Sequence, residues 1–185
     1  MHQCNFKLKK VMKLSDNPLD QKRDEPSRVI QKAANKIRDI LASRGLSEEV
    51  LVSTAMELYV PHPGIKTQEK AEKIFKEEIA LAFSDPNLCL LLYAALLLED
   101  AGIKGELPDM PSLSYEQDLT YLIVDEVLGM TIAMYIAGHK GSFEYVRFDK
   151  RKPGIIGTLG PFMDDAIAGL IGGASSNMYT RGITV

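Results

Sequence analysis

The chain has 185 residues, of which 45% are hydrophobic and 25% charged, and this balance excludes general disorder and a fibrous repeat. Its two cysteines, Cys4 and Cys89, do not provide a disulfide framework, so a reducing cytoplasm is the expected compartment. The net charge of −3 combines +6 in residues 1–44 with −9 in the remainder, which predicts a basic arm on an acidic body.

The N-terminal segment is interpreted as an arm that precedes one domain. Residues 1–26 are basic and end at Pro26, and residues 27–185 are expected to form a single all-helical domain. The arm is interpreted as a solvated, flexible segment, while contact with an anionic membrane or with the acidic body stays an alternative. Phe6 is the one aromatic residue near its lysines, so nucleic acid is not expected as a partner.

Four helices are predicted in the first half of the chain. Apolar residues at a 3.6-residue spacing over 30–41 predict the first helix, and capping or breaking residues mark the others. The boundary residues are Gly45 after the first helix, Ser47 and Thr67 as N-caps of the second and third, Asp85-Pro86 at the start of the fourth, and Gly102 at its end.

A long, almost wholly apolar helix is predicted over 119–137. Ser114 and Gln117 have the spacing of a capping box before it. Asp125 and Glu126 lie near its middle, where a bilayer would cost about 2.5–3.5 kcal/mol for such a charge. Because every face is apolar, we expect this helix to be the buried centre of a soluble bundle.

The last third of the chain has a less regular pattern. Glycines and prolines interrupt residues 139–161, where a short extended piece over 143–148 is predicted. The last helix is predicted to begin near Phe162 and to fray at Gly172-Gly173. The expected fold class is therefore all-α, a compact single-domain helical bundle with a buried central helix.

Two acidic pairs are the first candidates for chemistry. Asp125-Glu126 and Asp164-Asp165 are each bracketed by apolar residues, and Asp125 and Asp165 each lie four residues before a glycine, Gly129 or Gly169. Positions four apart share a helix face, and a glycine there lets another backbone approach on the side where the carboxylate points.

Facing buried carboxylates repel one another unless a cation lies between them. Oxygen ligands favour Mg²⁺ or Mn²⁺ over zinc. Glu99 and Asp100, at the end of an apolar run, could reach the same centre, and Glu99 is a further candidate ligand. The alternative is that these acids cap helices or pair with lysines.

A cationic cluster lies between the two acidic pairs. A cation, basic side chains and free backbone amides together suit phosphate, since the reaction spreads negative charge over phosphoryl oxygens. The alternative is a solvated basic loop. The cluster comprises Arg147, Asp149, Lys150, Arg151 and Lys152, followed by the flexible Gly/Pro segment 153–160.

These segments resemble the phosphatidylglycerophosphatase A family. The matching motifs are Ile123-Val124-Asp125-Glu126-Val127-Leu128-Gly129-Met130, Arg147-Phe148-Asp149-Lys150-Arg151-Lys152-Pro153 and Met163-Asp164-Asp165-Ala166-Ile167-Ala168-Gly169. They occur in the family's order and cover roughly residues 118–173. The N-terminal half resembles the soluble YutG-like branch more weakly, and the run that begins at Asp149 is similar to archaeal CobZ-type α-ribazole phosphatases.

The resemblance implies an all-α fold and a Mg²⁺-dependent phosphomonoesterase. Asp125, Asp165 and Lys152 would be catalytic, and Arg147, Lys150 and Lys152 would bind phosphate. The implied metal ligands are Asp125, Glu126, Asp164 and Asp165, with Glu99 and Asp149 as further candidates.

Three functions follow as hypotheses. The first is hydrolysis of α-ribazole 5′-phosphate in the assembly of the cobamide nucleotide loop. The second is a phosphatase for phosphatidylglycerophosphate or its archaeal lipid analogue, with the basic segment 1–44 docked on anionic lipid. The third is a non-catalytic helical metal-binding module. A small phosphorylated substrate is the expected partner, membrane contact is not favoured, and both a monomer and a homodimer remain open.

Overall fold

The computed structural model describes residues 36–110, 115 and 122–183, and in these residues it is a bundle of helices. The first helix, α1, occupies 36–43 of the described chain. The others are α2 (Glu48–Glu57), α3 (Gln68–Phe83), α4 (Pro86–Lys104), α5 (Val124–Ala137), α6 (His139–Arg151), the 3₁₀ turn Gly154–Thr158, and α7 (Pro161–Ile183).

Side-chain caps set the helix starts in the first half, as the sequence predicts. Ser47 and Thr67 accept hydrogen bonds from the third backbone amide after each of them, and Asp85 accepts one from Asn87 before the proline-initiated α4. The predicted end of α4 at Gly102 is wrong by two residues. The helix continues to Lys104 and ends where Gly105 adopts a left-handed φ of 69°. Gly102 is instead needed for packing, since a Cβ there would lie 2.3 Å from the Tyr115 ring.

The predicted helix over 119–137 is too long at its N-terminus within the described residues. The helix begins at Val124, so Asp125 and Glu126 lie in the first turn of α5 and not near the middle. There the backbone amides face the carboxylates, which is where a helix favours negative charge. The predicted capping box at Ser114 and Gln117 lies outside the described residues.

Two further expectations for the last third are wrong. Residues 143–148 are not extended but belong to α6, whose one buried side is formed by Gly141, Tyr145 and Phe148. The last helix does not fray at Gly172-Gly173, because α7 continues to Ile183. Glycine weakens an isolated helix, but here the surrounding helices bury this stretch and compensate for the weaker propensity.

The central helix of the bundle is α7, and not the helix predicted over 119–137. Nearly all of α7 from Phe162 to Ser176 is buried, and α3, α4, α5 and α6 all contact it. In contrast, α5 leaves an apolar stripe exposed, which includes Val124, Val127 and Met130. The apolar composition of α5 therefore reflects one buried face and one exposed face.

Helices α5 and α7 cross in direct backbone contact at two glycines. A Cβ on Gly169 would lie 2.2 Å from the Gly129 carbonyl oxygen, and a Cβ on Gly129 would lie 2.5 Å from the Asp165 carbonyl oxygen. No real Cβ fits at such distances, so only glycine permits this approach. The crossing places the acids one turn before each glycine close together.

One helix of the described residues, α4, has the length and apolar composition of a membrane span, with 39% of its most apolar window buried. Core helices of soluble proteins have these properties as well. From Pro86 to Leu98 α4 carries no charged side chain, and Leu90 and Leu97 on its outer side are exposed.

The glycine crossing leads to a prediction about stability. Gly169→Ala is expected to lower the free energy of unfolding by about 1–2 kcal/mol, because overpacking against backbone outweighs the helix propensity gained with alanine. Gly173→Ala is the comparison one turn later, where the three atoms nearest to the new Cβ, at 2.8 to 3.1 Å, belong to the Ile136 side chain, and a smaller loss is expected because a side chain shifts more easily than a backbone. Urea denaturation measures both variants, and an equal loss of stability in the two would contradict the backbone crossing.

Candidate active site

Three carboxylates from α5 and α7 converge at the helix crossing. Asp125, Glu126 and Asp165 each offer an oxygen that lies within 4.8 Å of the others, and we call these three residues the acidic triad. Asp125 and Asp165 are 1% and 3% exposed, whereas Glu126 is exposed. The triad is therefore buried on one side and open to solvent on the other.

Burial changes the acidity of two triad members. Desolvation raises the pKa of Asp165 to about 7, helped by the negative charges of Asp164 and Asp149 and opposed by a hydrogen bond from Tyr145. Desolvation, together with neighbouring Glu126, raises the pKa of Asp125 to about 8. Both carboxyl groups are thus held partly protonated at neutral pH unless positive charge is supplied.

The donor set of the triad fits a hard divalent cation. All three residues offer carboxylate oxygen, which is the ligand type that Mg²⁺ and Mn²⁺ prefer. A divalent cation would also offset the desolvation and the repulsion between carboxylates that raise the pKa values of Asp125 and Asp165. The sequence predicts four acids at this point, but Asp164 lies outside the triad.

Asp164 faces the basic segment instead. Lys152 donates a hydrogen bond to Asp164 Oδ2 in a close ion pair, and Asp164 is buried. Burial works to lower the pKa of Lys152, but the hydrogen bond and charge of Asp164 raise it above its ordinary value. The ammonium group therefore stays charged beside the triad.

The backbone at Lys152 has a conformation that is uncommon for a lysine. Lys152 ends α6 with a left-handed φ of 41° and ψ of 55°, a conformation that non-glycine residues seldom adopt. Such strain occurs most often at functional sites, where surrounding contacts hold it. Here the ion pair to Asp164 is one of those contacts.

The other members of the cationic cluster occupy different positions. Lys150 and Arg151 are exposed in the last turn of α6. Asp149 lies close enough to Asp165 for its negative charge to raise the Asp165 pKa. Arg147 binds the carbonyl of Leu58, at the end of α2, and the carboxylate of Glu144. Arg147 therefore links α6 to the end of α2 through this hydrogen bond.

Glu99 belongs to α4, and its buried side chain lies against the start of α7, outside the acidic triad. Glu99 Oε2 accepts hydrogen bonds from the amides of Phe162 and Met163, and Oε1 accepts one of 2.7 Å from the Tyr115 hydroxyl. The carboxylate thus satisfies the amides that begin α7, which have no partner inside the helix. The sequence predicts Glu99 among the metal ligands, whereas the structure places it as a helix cap.

The segment 153–160 is ordered by contacts with α2. Its core is a 3₁₀ turn, and the amides of Gly154 and Ile155 donate to Glu57 and Thr54. The expectation of a flexible segment with these amides free is therefore wrong. Glu57 is exposed and anchors this turn through its side-chain carboxylate.

Tyr145 is a site residue that the sequence analysis misses. Its hydroxyl donates a hydrogen bond of 2.8 Å to Asp165 Oδ1, and the residue is 2% exposed. Burial and the charge of Asp165 raise the Tyr145 pKa, so the hydroxyl keeps its proton and remains a donor. Helical periodicity with Gly141 and Phe148 would have revealed its buried position.

Comparisons with known proteins agree with this architecture. A model of the family described as Phosphatidylglycerophosphatase A matches residues 67–180, more than half of the chain. An uncharacterized protein from Methanocaldococcus jannaschii is 38% identical over 132 residues, which cover 69% of this chain and 99% of that protein.

Two crystal structures share the fold. Protein ypjQ from Bacillus subtilis aligns with a TM-score of 0.69 and 20% identity, covering 84% of this chain and 98% of that one. The low temperature requirement C protein from Listeria monocytogenes aligns with a TM-score of 0.67 and 22% identity, covering 80% and 96%. At these identities the likeness concerns the arrangement of helices.

Proposed function

Because the chain belongs to the phosphatidylglycerophosphatase A family and is therefore a phosphatase, we propose that it is a metal-dependent phosphomonoesterase that hydrolyses α-ribazole 5′-phosphate. The observation that carries the chemistry is the acidic triad with Lys152 beside it. The substrate is supported by the similarity of the run from Asp149 to Ile156 to α-ribazole phosphatases. In this proposal the enzyme acts in the cytoplasm.

The proposed role of the triad is to hold Mg²⁺ or Mn²⁺. A cation bound there would polarise the phosphoryl group and make a water molecule more acidic. Asp125 and Asp165 supply buried oxygens from two helices whose crossing fixes their separation. The exposed Glu126 leaves this position accessible to a substrate from solvent.

The basic residues handle the charge of the substrate. Lys152 stands beside the triad with its ammonium group charged, so it can balance the negative charge on phosphoryl oxygens. Asp164 orients that ammonium group through the ion pair. Lys150, exposed at the end of the same helix, is the second proposed phosphate contact. Arg147 acts indirectly in this proposal, through its contact with Leu58.

A lipid phosphate is the second candidate substrate, favoured by the exposed apolar stripe of α5. Val124 and Val127 flank the acidic triad, and Met130 and Met134 continue the stripe away from it. An acyl chain could lie along such a surface, while the basic segment 1–44 would add about 1 kcal/mol per well-placed lysine or arginine on an anionic membrane. If partition onto anionic vesicles is unchanged after deletion of residues 1–26, this support is lost.

A side-by-side phosphatase assay tests the substrate. With Mg²⁺ present, kcat/KM on α-ribazole 5′-phosphate is expected to exceed that on phosphatidylglycerophosphate in mixed micelles by about tenfold or more, and EDTA is expected to abolish both rates. Phosphate release measures each reaction. A preference for the lipid would establish the second candidate, and no turnover of either ester with Mg²⁺ or Mn²⁺ would overturn both candidate substrates.

A further inference from the structure

Tyr145 connects α6 to the acidic triad through one hydrogen bond. Its hydroxyl is buried and donates to Asp165 Oδ1 at 2.8 Å. Because a carboxylate has two oxygens, a donor fixed on Oδ1 restricts rotation of the group and leaves Oδ2 for another partner. The Tyr145 hydroxyl therefore restrains the orientation of the Asp165 carboxylate.

Tyr145 packs closely against two glycines of the neighbouring helices, with its ring beside Gly129 and its backbone beside Gly172. A Cβ on Gly129 of α5 would lie 2.8 Å from Tyr145 Cε2, and a Cβ on Gly172 of α7 would lie 2.6 Å from the Tyr145 backbone nitrogen. The ring thus occupies space that larger residues would fill. Close packing of the ring against α5 and of the backbone against α7 restricts where the hydroxyl can point.

We propose that Tyr145 is a positioning residue for the cation site, which fixes the Asp165 carboxylate so that its second oxygen faces Asp125 and Glu126. This inference rests on the proposed function, in which the triad binds a divalent cation. Residues that hydrogen-bond to metal-ligating carboxylates orient them, and their loss typically weakens metal binding 10- to 100-fold. Helix α6 then contributes twice to the site, through Tyr145 and through Lys152 at its end.

A matched pair of tyrosine variants tests the proposal. Tyr145→Phe removes only the hydroxyl and is expected to weaken Mn²⁺ binding to the full chain, measured by calorimetry without substrate, by about 10- to 100-fold. The turnover of Tyr145→Phe should then recover as the Mn²⁺ concentration is raised. Tyr115→Phe is the control, because it also deletes a buried hydrogen bond from a tyrosine to a carboxylate, here Glu99, outside the triad. Its Mn²⁺ affinity should stay within about twofold of the wild type.

The outcomes separate this inference from the proposed function. If the wild type binds Mn²⁺ and Tyr145→Phe binds it with the same affinity, only the positioning role is overturned. Absence of Mn²⁺ binding by the wild type would overturn the metal-dependent function and the inference with it. If the phenylalanine variant does not fold, p-aminophenylalanine at position 145 keeps a donor and a similar ring, and it should retain Mn²⁺ affinity close to that of the wild type. Loss of affinity in that folded variant would contradict the proposal.

Discussion

Replacing Asp165 with asparagine is expected to lower kcat by about 10³-fold or more while the protein remains folded. Asp165 is a buried member of the acidic triad, and its side chain faces two other carboxylates across the helix crossing. A bound cation contributes several kcal/mol to such a reaction, and each 1.36 kcal/mol corresponds to a factor of ten in rate. Asparagine keeps an oxygen that can accept the Tyr145 hydrogen bond but removes the charge.

The stability of Asp165→Asn provides the internal check. Because burial already raises the pKa of Asp165, neutralising the side chain should leave the melting temperature in EDTA unchanged or higher at pH 8. Asp100→Asn is the control, since it also removes one carboxylate but breaks only the exposed pair with Arg44. A phosphate-release assay should show less than a twofold change in that control. Near-normal turnover in Asp165→Asn would remove Asp165 from the catalytic set.

The acidic triad was largely predictable from the sequence because two local signals coincide there. Asp125 and Asp165 each precede a glycine by one helical turn, and a glycine on the carboxylate's side of a helix predicts close approach of another backbone. The structure confirms that approach at Gly129 and Gly169. Helix starts at Ser47, Thr67 and Asp85 were predictable for a similar reason, since capping depends on a few neighbouring residues.

The features that depend on distant contacts could not be predicted. Nothing local to Glu99 indicates that α7 begins above it, and nothing local to Arg147 indicates a carbonyl of α2. A helix with many glycines, such as α7, also looks weak in isolation, and its central position follows only from the helices that surround it. The sequence therefore predicts where a helix begins when its cap is strong, but it does not predict which distant residues or helices will contact it.

The stability of the metal-free protein is expected to fall as pH rises. The pKa of Asp125 is raised to about 8 and that of Asp165 to about 7 in the folded state, whereas both have ordinary values of 3.8 in the unfolded chain. Groups with a raised folded pKa contribute most below pH 4, and that contribution is lost as pH rises toward 8. In EDTA, a fall in melting temperature on the order of 10 °C is expected between pH 6 and pH 9.

Added Mg²⁺ should reverse this trend, since a cation favours the ionised carboxylates and binds more tightly as they lose protons. The rise in melting temperature on adding Mg²⁺ is therefore expected to be larger at pH 9 than at pH 6. A double variant, Asp125→Asn with Asp165→Asn, supplies the baseline, because it keeps every other titrating group and removes these two. Its melting temperature should vary less with pH in EDTA and should not respond to Mg²⁺. If the wild type and the double variant gave the same pH profile in EDTA, the two carboxyl groups would not be the buried, charge-repelling pair that makes a cation necessary at the crossing of α5 and α7.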